Sequence, residues 1–320
     1  MYAVEKHRKK IKLENIIRWP DHRHGWAFCL SGLLELHSDL GTLFIDYFES
    51  HVKAKSAILE PWIGVIHNVP KHPEGVVQKL YGPTHDVSID SILQSKTWKQ
   101  SAPFCKGLFS LSKYCAEYLT VRVSVPVESV KHPTETLGVK FSPLNFRQNS
   151  KKSLVMVGHW MRNFQSIYDL HSPTLTKLIL QGTGRSFDYQ LIEEVFSVNE
   201  SVKMIPRHTN EQYDRLLATN IVFLNLYDAS ASNTVIECIM RNTPVVVNLL
   251  PALVEYLGAD YPLFYETIEQ ASAIVQNEDL LIAGHYYLLG MDKSFLSLEK
   301  FVADIQNSAI YRSLPQTFML

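Results

Sequence analysis

The stretch from Ile221 to Gly258, IVFLNLYDASASNTVIECIMRNTPVVVNLLPALVEYLG, constrains the fold of this chain more than any other. Two runs, 221–226 and 245–249, are apolar apart from Asn225 and Asn248, and a small polar loop and a short helix separate them. Apolar runs without alternation are typical of parallel strands that are buried on both faces. The stretch therefore predicts an α/β fold with a parallel sheet.

The loop between the two runs has a composition that suits ligand binding. Residues 228–233, DASASN, are small and polar. Small side chains let a ligand approach the backbone, and the helix that follows directs free N–H groups and the positive end of its dipole into the loop. The pattern favours an anionic group such as a diphosphate, with Ser230, Ser232, Asn233 and Thr234 as candidate contacts.

Glu237 lies one turn into this helix and has two interpretations. Its carboxylate is placed to accept hydrogen bonds from the vicinal hydroxyls of a sugar. Alternatively, Thr234 and Glu237 have the spacing of a capping box, in which Thr caps the helix and Glu bonds back to the N–H of the cap. Both interpretations stay open at the level of sequence.

The run from Val202 to Gly258 resembles the nucleotide-sugar half of GT-B fold glycosyltransferases, particularly the GT4-like group (glycosyl transferases group 1). In that family a helix carrying a glutamate is followed by Gly-Xaa-Pro-Val-Val and by a helix that begins near a second glutamate. The counterparts here are Glu237, residues 242–246 (NTPVV) and Glu255. The resemblance implies two Rossmann-like domains facing a cleft, with a ribose contact for Glu237. Ser230 stands where many members carry a glutamate that contacts the donor sugar, so this chain lacks the carboxylate for that contact.

A strand that ends in glycine is predicted at residues 153–158, SLVMVG, and HWMRN follows it. In the GT4-like family this loop supplies cations that neutralise the leaving diphosphate. His159 and Phe164 occupy the positions of those cations, so Arg162 is the available substitute. Its planar guanidinium suits bidentate contact with phosphate. Gly158 and Arg162 are therefore candidate site residues, and Arg162 is a candidate catalytic residue.

Two more strand ends supply weaker candidates. Residues 177–184 repeat the strand-then-glycine pattern, and Gly182 allows a tight turn beside a ligand, although Gly-Xaa-Gly alone is weak evidence for nucleotide binding. Residues 202–208 predict a short strand that breaks at a proline. GT-B enzymes bind the nucleotide base there, so the resemblance makes Arg207 a candidate contact.

The first half of the chain supplies the acceptor-side candidates. Residues 61–69, PWIGVIHNV, predict a strand with His67 at its carboxyl end, where ligands of open α/β sheets bind. An imidazole can bond a sugar hydroxyl or move a proton, and many GT4-like enzymes carry an acceptor-domain histidine, so we assign His67 a catalytic role. Gly25, in the segment HGW, resembles the glycine of the loop that faces the cleft in GT-B proteins.

A loss of periodicity divides the chain in two. Residues 141–152, FSPLNFRQNSKK, lack helical or strand spacing, so we place a linker at 140–152. The predicted domains are an acceptor-side Rossmann-like domain at 1–145 and a nucleotide-sugar-binding Rossmann-like domain at 152–295. In GT-B proteins the last helix crosses back to the first domain, which the resemblance implies for 296–320.

Composition limits the partners and the compartment. A net charge of −1 gives no overall field that attracts nucleic acid, so no nucleic-acid partner is expected. The four cysteines lack metal-binding spacing and are typical of reduced thiols in a cytoplasmic protein. No apolar run approaches the roughly 18 residues of a membrane span. The basic run at 6–10, KHRKK, suits either a solvated terminus or peripheral contact with anionic lipid.

Residues and resemblance together predict a hexosyltransferase-type glycosyltransferase. It would move a sugar from a nucleotide-diphosphate sugar to a hydroxyl of a glycan, polysaccharide or lipid-linked acceptor. The sequence contains no Asp-Xaa-Asp motif, so no metal or other cofactor is expected, and the GT4 resemblance favours retention of anomeric configuration. Two alternatives stay open: a nucleotide-sugar epimerase of GT-B fold, and a non-catalytic GT-B-like module that binds nucleotide or a partner, which Ser230 favours.

Overall fold

The computed structural model describes residues 10–14, 25–73, 75, 79–80, 86–135, 138–182, 192 and 194–315. These residues form two compact units. Residues 6–9 of the basic run lie outside the described residues, as does Gly184 at the end of the segment 177–184. Among the described helices, none combines the length and apolar character that crossing a membrane requires.

The first unit contains the described residues of 1–71, 87–135 and 294–320. Its strands are β1 Ile11–Leu13, β2 Thr42–Ile45, β3 Trp62–Ile66, β4 Cys105–Ser110 and β5 Val127–Ser129. The helices between them are α1 Trp26–Leu33, α2 Phe48–Ala54, α3 Ile89–Gln94, α4 Lys96–Ser101 and α5 Lys113–Thr120. The strands pair in parallel in the order β1-β2-β3-β4-β5. All carboxyl ends therefore lie at one edge of the sheet.

Aromatic packing fixes α2 against this sheet. The ring of Phe48, the first residue of α2, stacks on Trp62 of β3 with centroids 4.8 Å apart. Trp98 of α4 meets the same Phe48 ring edge-on at 5.8 Å. Because Phe48 is fully buried, the residue that follows it, Glu49, is carried into the interior beside the end of β3.

The second unit contains the described residues of 72–86 and 136–293. Its strands are β6 Ser153–Met156, β7 Thr176–Leu180, β8 Val202–Ile205, β9 Ile221–Leu224, β10 Val245–Asn248 and β11 Phe264–Tyr265. Its helices are α6 Pro143–Gln148, α7 Gln165–Asp169, α8 Asn210–Thr219, α9 Asn233–Arg241, α10 Pro251–Leu257, α11 Ile268–Val275 and α12 Glu278–Gly290. The parallel sheet has the order β11-β10-β9-β6-β7-β8. The residues of β6 and β9 are buried throughout, as the lack of polar alternation in their sequences predicts.

The described residues after 293 belong to the first unit and include α13 Leu298–Asn307 and α14 Ala309–Ser313. A Cβ added to Gly32 of α1 would lie 2.7 Å from Leu298, and one added to Gly107 of β4 would lie 2.7 Å from Ile310. The glycines thus let both helices approach α1 and β4 closely.

The α/β class and the two parallel sheets predicted from the sequence are confirmed. One local prediction is wrong. The linker at 140–152 contains α6, which starts with Pro143 after Ser142, whose hydroxyl accepts from Asn145 N at 3.4 Å. A cap followed by proline is a helix-start signal.

The unit boundaries also differ from the predicted domains. The first unit stops at Glu135 rather than 145, and the described residues of 72–86 belong to the second unit. The His72 ring meets the Trp160 ring edge-on at 5.2 Å, and its Nδ1 lies 3.3 Å from the Asp86 carboxylate. The Trp160 contact joins the segment to the later half of the chain, and the Asp86 contact joins the two ends of the segment to each other.

Candidate functional site

The strand order of the second unit creates a crevice at one place. From the central β6 the chain moves outward through β7 and β8, then returns to place β9 on the other side of β6. Loops that leave β6 and β9 diverge in opposite directions, and ligands of open α/β sheets bind where this happens. The two glycine- and serine-containing loops singled out in the sequence are the loops at this switch point.

Backbone hydrogen bonds join the two loops. Asn163 N donates to Asn225 O at 2.9 Å, and Tyr227 N donates to Met161 O at 3.0 Å. The Asn248 side chain at the end of β10 holds the same loop, because it accepts from Leu226 N at 2.8 Å and donates to Leu226 O at 2.9 Å. The loop after β9 is therefore fixed from two neighbouring strands.

Arg162 lies buried between the two loops. Its Nε donates to Val157 O at 3.1 Å and its Nη1 to Trp160 O at 3.2 Å. Its Nη2 donates to Thr234 Oγ1 at 3.1 Å. The guanidinium is thus held directly at the start of α9, so the structure brings together Arg162 and Thr234, which are 72 residues apart.

Gly158 makes room for this guanidinium. Its φ of +76° lies in the left-handed region, which side chains other than glycine rarely adopt. A Cβ at this position would lie 3.0 Å from Arg162 Nη2. Gly158 is exposed while Arg162 is buried, so the absence of a side chain at 158 leaves room for the buried guanidinium.

The start of α9 has the properties of an anion site. Ser232 is the N-cap residue but makes no capping hydrogen bond with its side chain, so it leaves the first-turn N–H groups of α9 uncapped. Ser230 and Ser232 are buried, and their hydroxyls have no hydrogen-bond partner within the described part of the chain. A guanidinium and the positive end of a helix dipole repel one another, and a bound anion stabilises both. Asn233, the first residue of α9, is exposed.

The capping-box interpretation of Glu237 is wrong. Thr234 is the second residue of α9 rather than its N-cap, and its hydroxyl accepts from Arg162 instead. Glu237 is buried and accepts a hydrogen bond from the Tyr213 hydroxyl. Burial and the charge of Glu237 together raise the pKa of Tyr213 well above its usual value.

His159 stands beside Arg162 as a neutral group. Burial and the charge of Arg162 lower the pKa of His159 to about 4. At neutral pH the imidazole is therefore uncharged, and the positive charge of this loop comes from Arg162.

Gly182 and Arg207 lie on the other side of β6. Gly182 follows the end of β7, and Arg207 follows the end of β8 at the edge of the sheet; both are exposed. Both residues lie at the same carboxyl edge of the sheet as the switch point, but they follow β7 and β8 rather than β6 and β9.

In the first unit, His67 directly follows β3, as predicted. Its Nε2 lies 2.7 Å from the Asp46 carbonyl oxygen. A carbonyl only accepts, so Nε2 carries the proton and a neutral ring has its lone pair on Nδ1. The ring packs edge-on against Trp26 at 4.5 Å and Tyr47 at 5.0 Å. Gly25 is the N-cap of α1, immediately before Trp26, which places it in the same neighbourhood as His67.

Sequence reasoning missed three residues that shape these sites: Asp46, Glu49 and Asn248. Asp46 and Asn248 stand at or just after the carboxyl ends of β2 and β10. The rule that selected His67 would have found them. No signal in the sequence marks Glu49, because a charged residue on a short helix is ordinarily exposed.

Comparisons with known proteins agree with this fold. A sucrose-phosphate synthase from Thermosynechococcus elongatus matches with a TM-score of 0.58 and 12% identity over 84% of this chain and 72% of its own. The structure of TarM matches with a TM-score of 0.56 and 13% identity over 90% of this chain and 58% of its own. Anabaena Alr3699/HepE, solved in complex with UDP and glucose, matches with a TM-score of 0.54 and 12% identity over 77% of this chain and 70% of its own.

The chain has the fold of GT-B glycosyltransferases. The resemblance that the sequence showed between 202 and 258 is thereby confirmed at the level of fold, with a parallel sheet in each unit. No protein-family model and no curated protein matches the sequence.

Proposed function

We propose that this protein transfers a glycosyl group from a nucleoside-diphosphate sugar to an acceptor hydroxyl. The observation that carries the proposal is the buried Arg162 guanidinium, held 3.1 Å from Thr234 Oγ1 at the amino end of α9. Two positive elements face each other there, beside two serine hydroxyls that lack partners within the described residues. A diphosphate has the charge and the acceptor oxygens to bind all of them.

The chemistry of transfer needs this arrangement. Negative charge develops on the β-phosphate as the glycosidic bond breaks, and donors already in position stabilise it without reorganisation. The guanidinium and the first-turn N–H groups of α9 supply such donors, so we propose that no metal is needed. Neutral His159 adds a hydrogen-bonding group without adding charge.

The structural neighbours support the donor class. One of them was solved with UDP and glucose, and another is named as a sucrose-phosphate synthase. We propose that the exposed residues Arg207 and Gly182 contact the part of the nucleotide beyond the diphosphate. Glu237 is the proposed contact to the ribose. Because the sequence resembles the GT4-like group, we also propose that the transfer retains the anomeric configuration.

The first unit supplies the proposed acceptor-side group. Because Nε2 of His67 is committed to the Asp46 carbonyl, Nδ1 is the basic nitrogen that would bond an acceptor hydroxyl. The proposed acceptor is a carbohydrate or a lipid-linked sugar.

A thermal-shift series tests donor binding. Wild type is heated with UDP-, GDP-, dTDP- and CMP-sugars; a ligand present at a hundred times its Kd stabilises by about 2.7 kcal/mol. We expect a shift with one or more diphosphate donors and none with CMP-sugars, which carry a single phosphate. Arg162→Met should abolish the shift, whereas Arg215→Met, at an exposed position on α8, should keep it. Equal shifts in both variants would contradict the proposed diphosphate site.

Turnover of the donor separates the proposed transfer from epimerisation. With the donor that binds, we expect release of nucleoside diphosphate to accelerate when a carbohydrate acceptor is added. An epimerase would convert the sugar nucleotide without an acceptor and without releasing the diphosphate.

A further inference from the structure

Glu49 is a carboxylate that the proposed chemistry does not yet use. It is fully buried, with an exposed fraction of 0%. Its Oε1 accepts from His67 N at 2.7 Å, from Asn68 N at 2.9 Å and from Asn68 Nδ2 at 3.3 Å. Its Oε2 has no hydrogen-bond partner in the part of the chain that the structure describes.

These bonds fix the backbone just past β3. The parallel pairing of β3 with β4 ends at Ile66, so the next two N–H groups lie beyond the ladder, and buried N–H groups require partners. Glu49 supplies one oxygen to both, from a helix anchored by Phe48. The His67 ring, which bonds Asp46 O at 2.7 Å, therefore depends on a backbone that Glu49 holds.

The environment of Glu49 makes its charge state sensitive to pH near neutrality. Burial raises the pKa of Glu49 to about 7, against the hydrogen bonds from His67 and Asn68, which favour ionisation. Two ionisable neighbours respond to its charge. Burial and the charge of Glu49 both raise the pKa of Tyr47. Burial lowers the pKa of Lys53, and the charge of Glu49 partly offsets that effect.

We propose that Glu49 is a positioning residue, which holds the backbone of His67 and Asn68 so that the His67 ring keeps its place for the acceptor hydroxyl. The inference rests on the proposed function for the role of His67. An ionised carboxylate accepts stronger hydrogen bonds than a neutral one, so the segment is held most firmly when Glu49 is charged.

Glu49→Gln tests the role of the charge, because glutamine keeps an accepting oxygen but stays neutral. Its matched control is Glu128→Gln, since Glu128 Oε1 also accepts from a backbone N–H in this unit, that of Ile310 at 3.1 Å. A misplacement of about 1 Å costs about 100-fold in rate, so we expect kcat for transfer to fall at least about tenfold in Glu49→Gln. The donor KM and the nucleotide-induced thermal shift should stay unchanged, and Glu128→Gln should keep the wild-type kcat.

Backbone amide shifts give a readout that needs no substrate. In the wild type, the ¹⁵N shifts of His67 and Asn68 should titrate with a midpoint near the Glu49 pKa of about 7, and in Glu49→Gln this transition should disappear. Glu49→Asp keeps the charge but withdraws the carboxylate by one methylene. It should retain a titration and still lower kcat.

The outcomes separate this inference from the proposed function. Wild-type kcat in Glu49→Gln across the pH range, or amide shifts of His67 and Asn68 that ignore the substitution, would overturn the positioning role. If the wild type forms no glycoside with any donor, the proposed transfer fails, while the amide titration still decides whether Glu49 holds the segment.

Discussion

The hydroxyls of Ser230 and Ser232 are buried in the second unit and lack hydrogen-bond partners among the residues that the structure describes. A buried hydroxyl without a partner costs free energy, so the protein gains nothing from these groups in its unliganded state. The proposed diphosphate would accept hydrogen bonds from both of them.

Ser232→Ala should therefore separate stability from binding. We expect the unliganded free energy of unfolding to stay within about 1 kcal/mol of the wild type or to rise, while the thermal shift produced by a diphosphate donor falls. Ser153→Ala is the control, because the Ser153 hydroxyl donates to Lys151 O at 2.7 Å; it should lose about 1 kcal/mol and keep the thermal shift. Loss of stability in Ser232→Ala with an unchanged thermal shift would contradict a ligand role.

Glu49 should make stability fall as pH rises. Its pKa is raised from 4.5 in the unfolded chain to about 7 in the folded one, so the folded state keeps a proton that the unfolded state has lost. This contribution is full below pH 4.5, declines through pH 7 and is lost above it, for a total of about 3 kcal/mol. Urea unfolding of wild type and Glu49→Gln across this window checks it. The difference in unfolding free energy between the two should be constant above pH 7, and a difference that is constant from pH 4.5 to 8 would refute the shift.

Among elements, the loop after β6 depends on a backbone conformation that only glycine readily adopts. Gly158 combines a φ of +76° with a position where a Cβ would lie 3.0 Å from Arg162 Nη2. Gly158→Ala should cost about 1–3 kcal/mol and weaken donor binding, because the guanidinium must move. Gly138→Ala is the control, since a Cβ there meets nothing within 4 Å. Comparable losses in the two variants, measured by urea unfolding, would show that the strain is not local to the site.

The loop after β9 depends on Asn248 of β10. The side-chain amide of Asn248 bonds both the N–H and the C=O of Leu226. It thus supplies the two hydrogen bonds that the backbone of a neighbouring strand would make. Asn248→Ala should lose about 1–3 kcal/mol and reduce the donor-induced thermal shift, because the loop that carries Ser230 is released. Asn248→Asp keeps the acceptor but not the donor, so its loss should also exceed that of an exposed substitution such as Asn233→Ala. Wild-type stability in Asn248→Ala would show that Leu226 is held by other contacts.

At the scale of the whole molecule, the sequence predicts strands and their ends better than it predicts contacts between residues that are distant in sequence. The largely apolar runs predicted β6, β9 and β10, and the rule of carboxyl strand ends located His67 and the loop before α9. The 3.1 Å contact between Arg162 and Thr234 could only be expected from the family resemblance, because no local pattern joins residues that far apart. The burial of Glu49 and the membership of 72–86 in the second unit depend on tertiary packing, which overrides local propensity.

The first unit is discontinuous in sequence, and this has a consequence for its stability. Its sheet comes from the first 135 residues, but Ile310 of α14 is fully buried against Gly107 of β4 and donates its N–H to Glu128. Leaving a cavity there should cost about 2–5 kcal/mol in Ile310→Ala, whereas Leu289→Ala, at a side chain that is 53% exposed in the second unit, should cost little.

The loss in Ile310→Ala belongs to the first unit alone, so the donor-induced stabilisation of the second unit should survive it. Urea unfolding followed by tryptophan fluorescence reports mainly the first unit, because Trp26, Trp62 and Trp98 lie there. We expect that transition to move to lower urea in Ile310→Ala, while the donor-induced shift keeps its wild-type size. If Ile310→Ala lowered both the urea midpoint and the donor-induced shift, the two units would unfold as one cooperative body. Packing of α14 would then also govern donor binding.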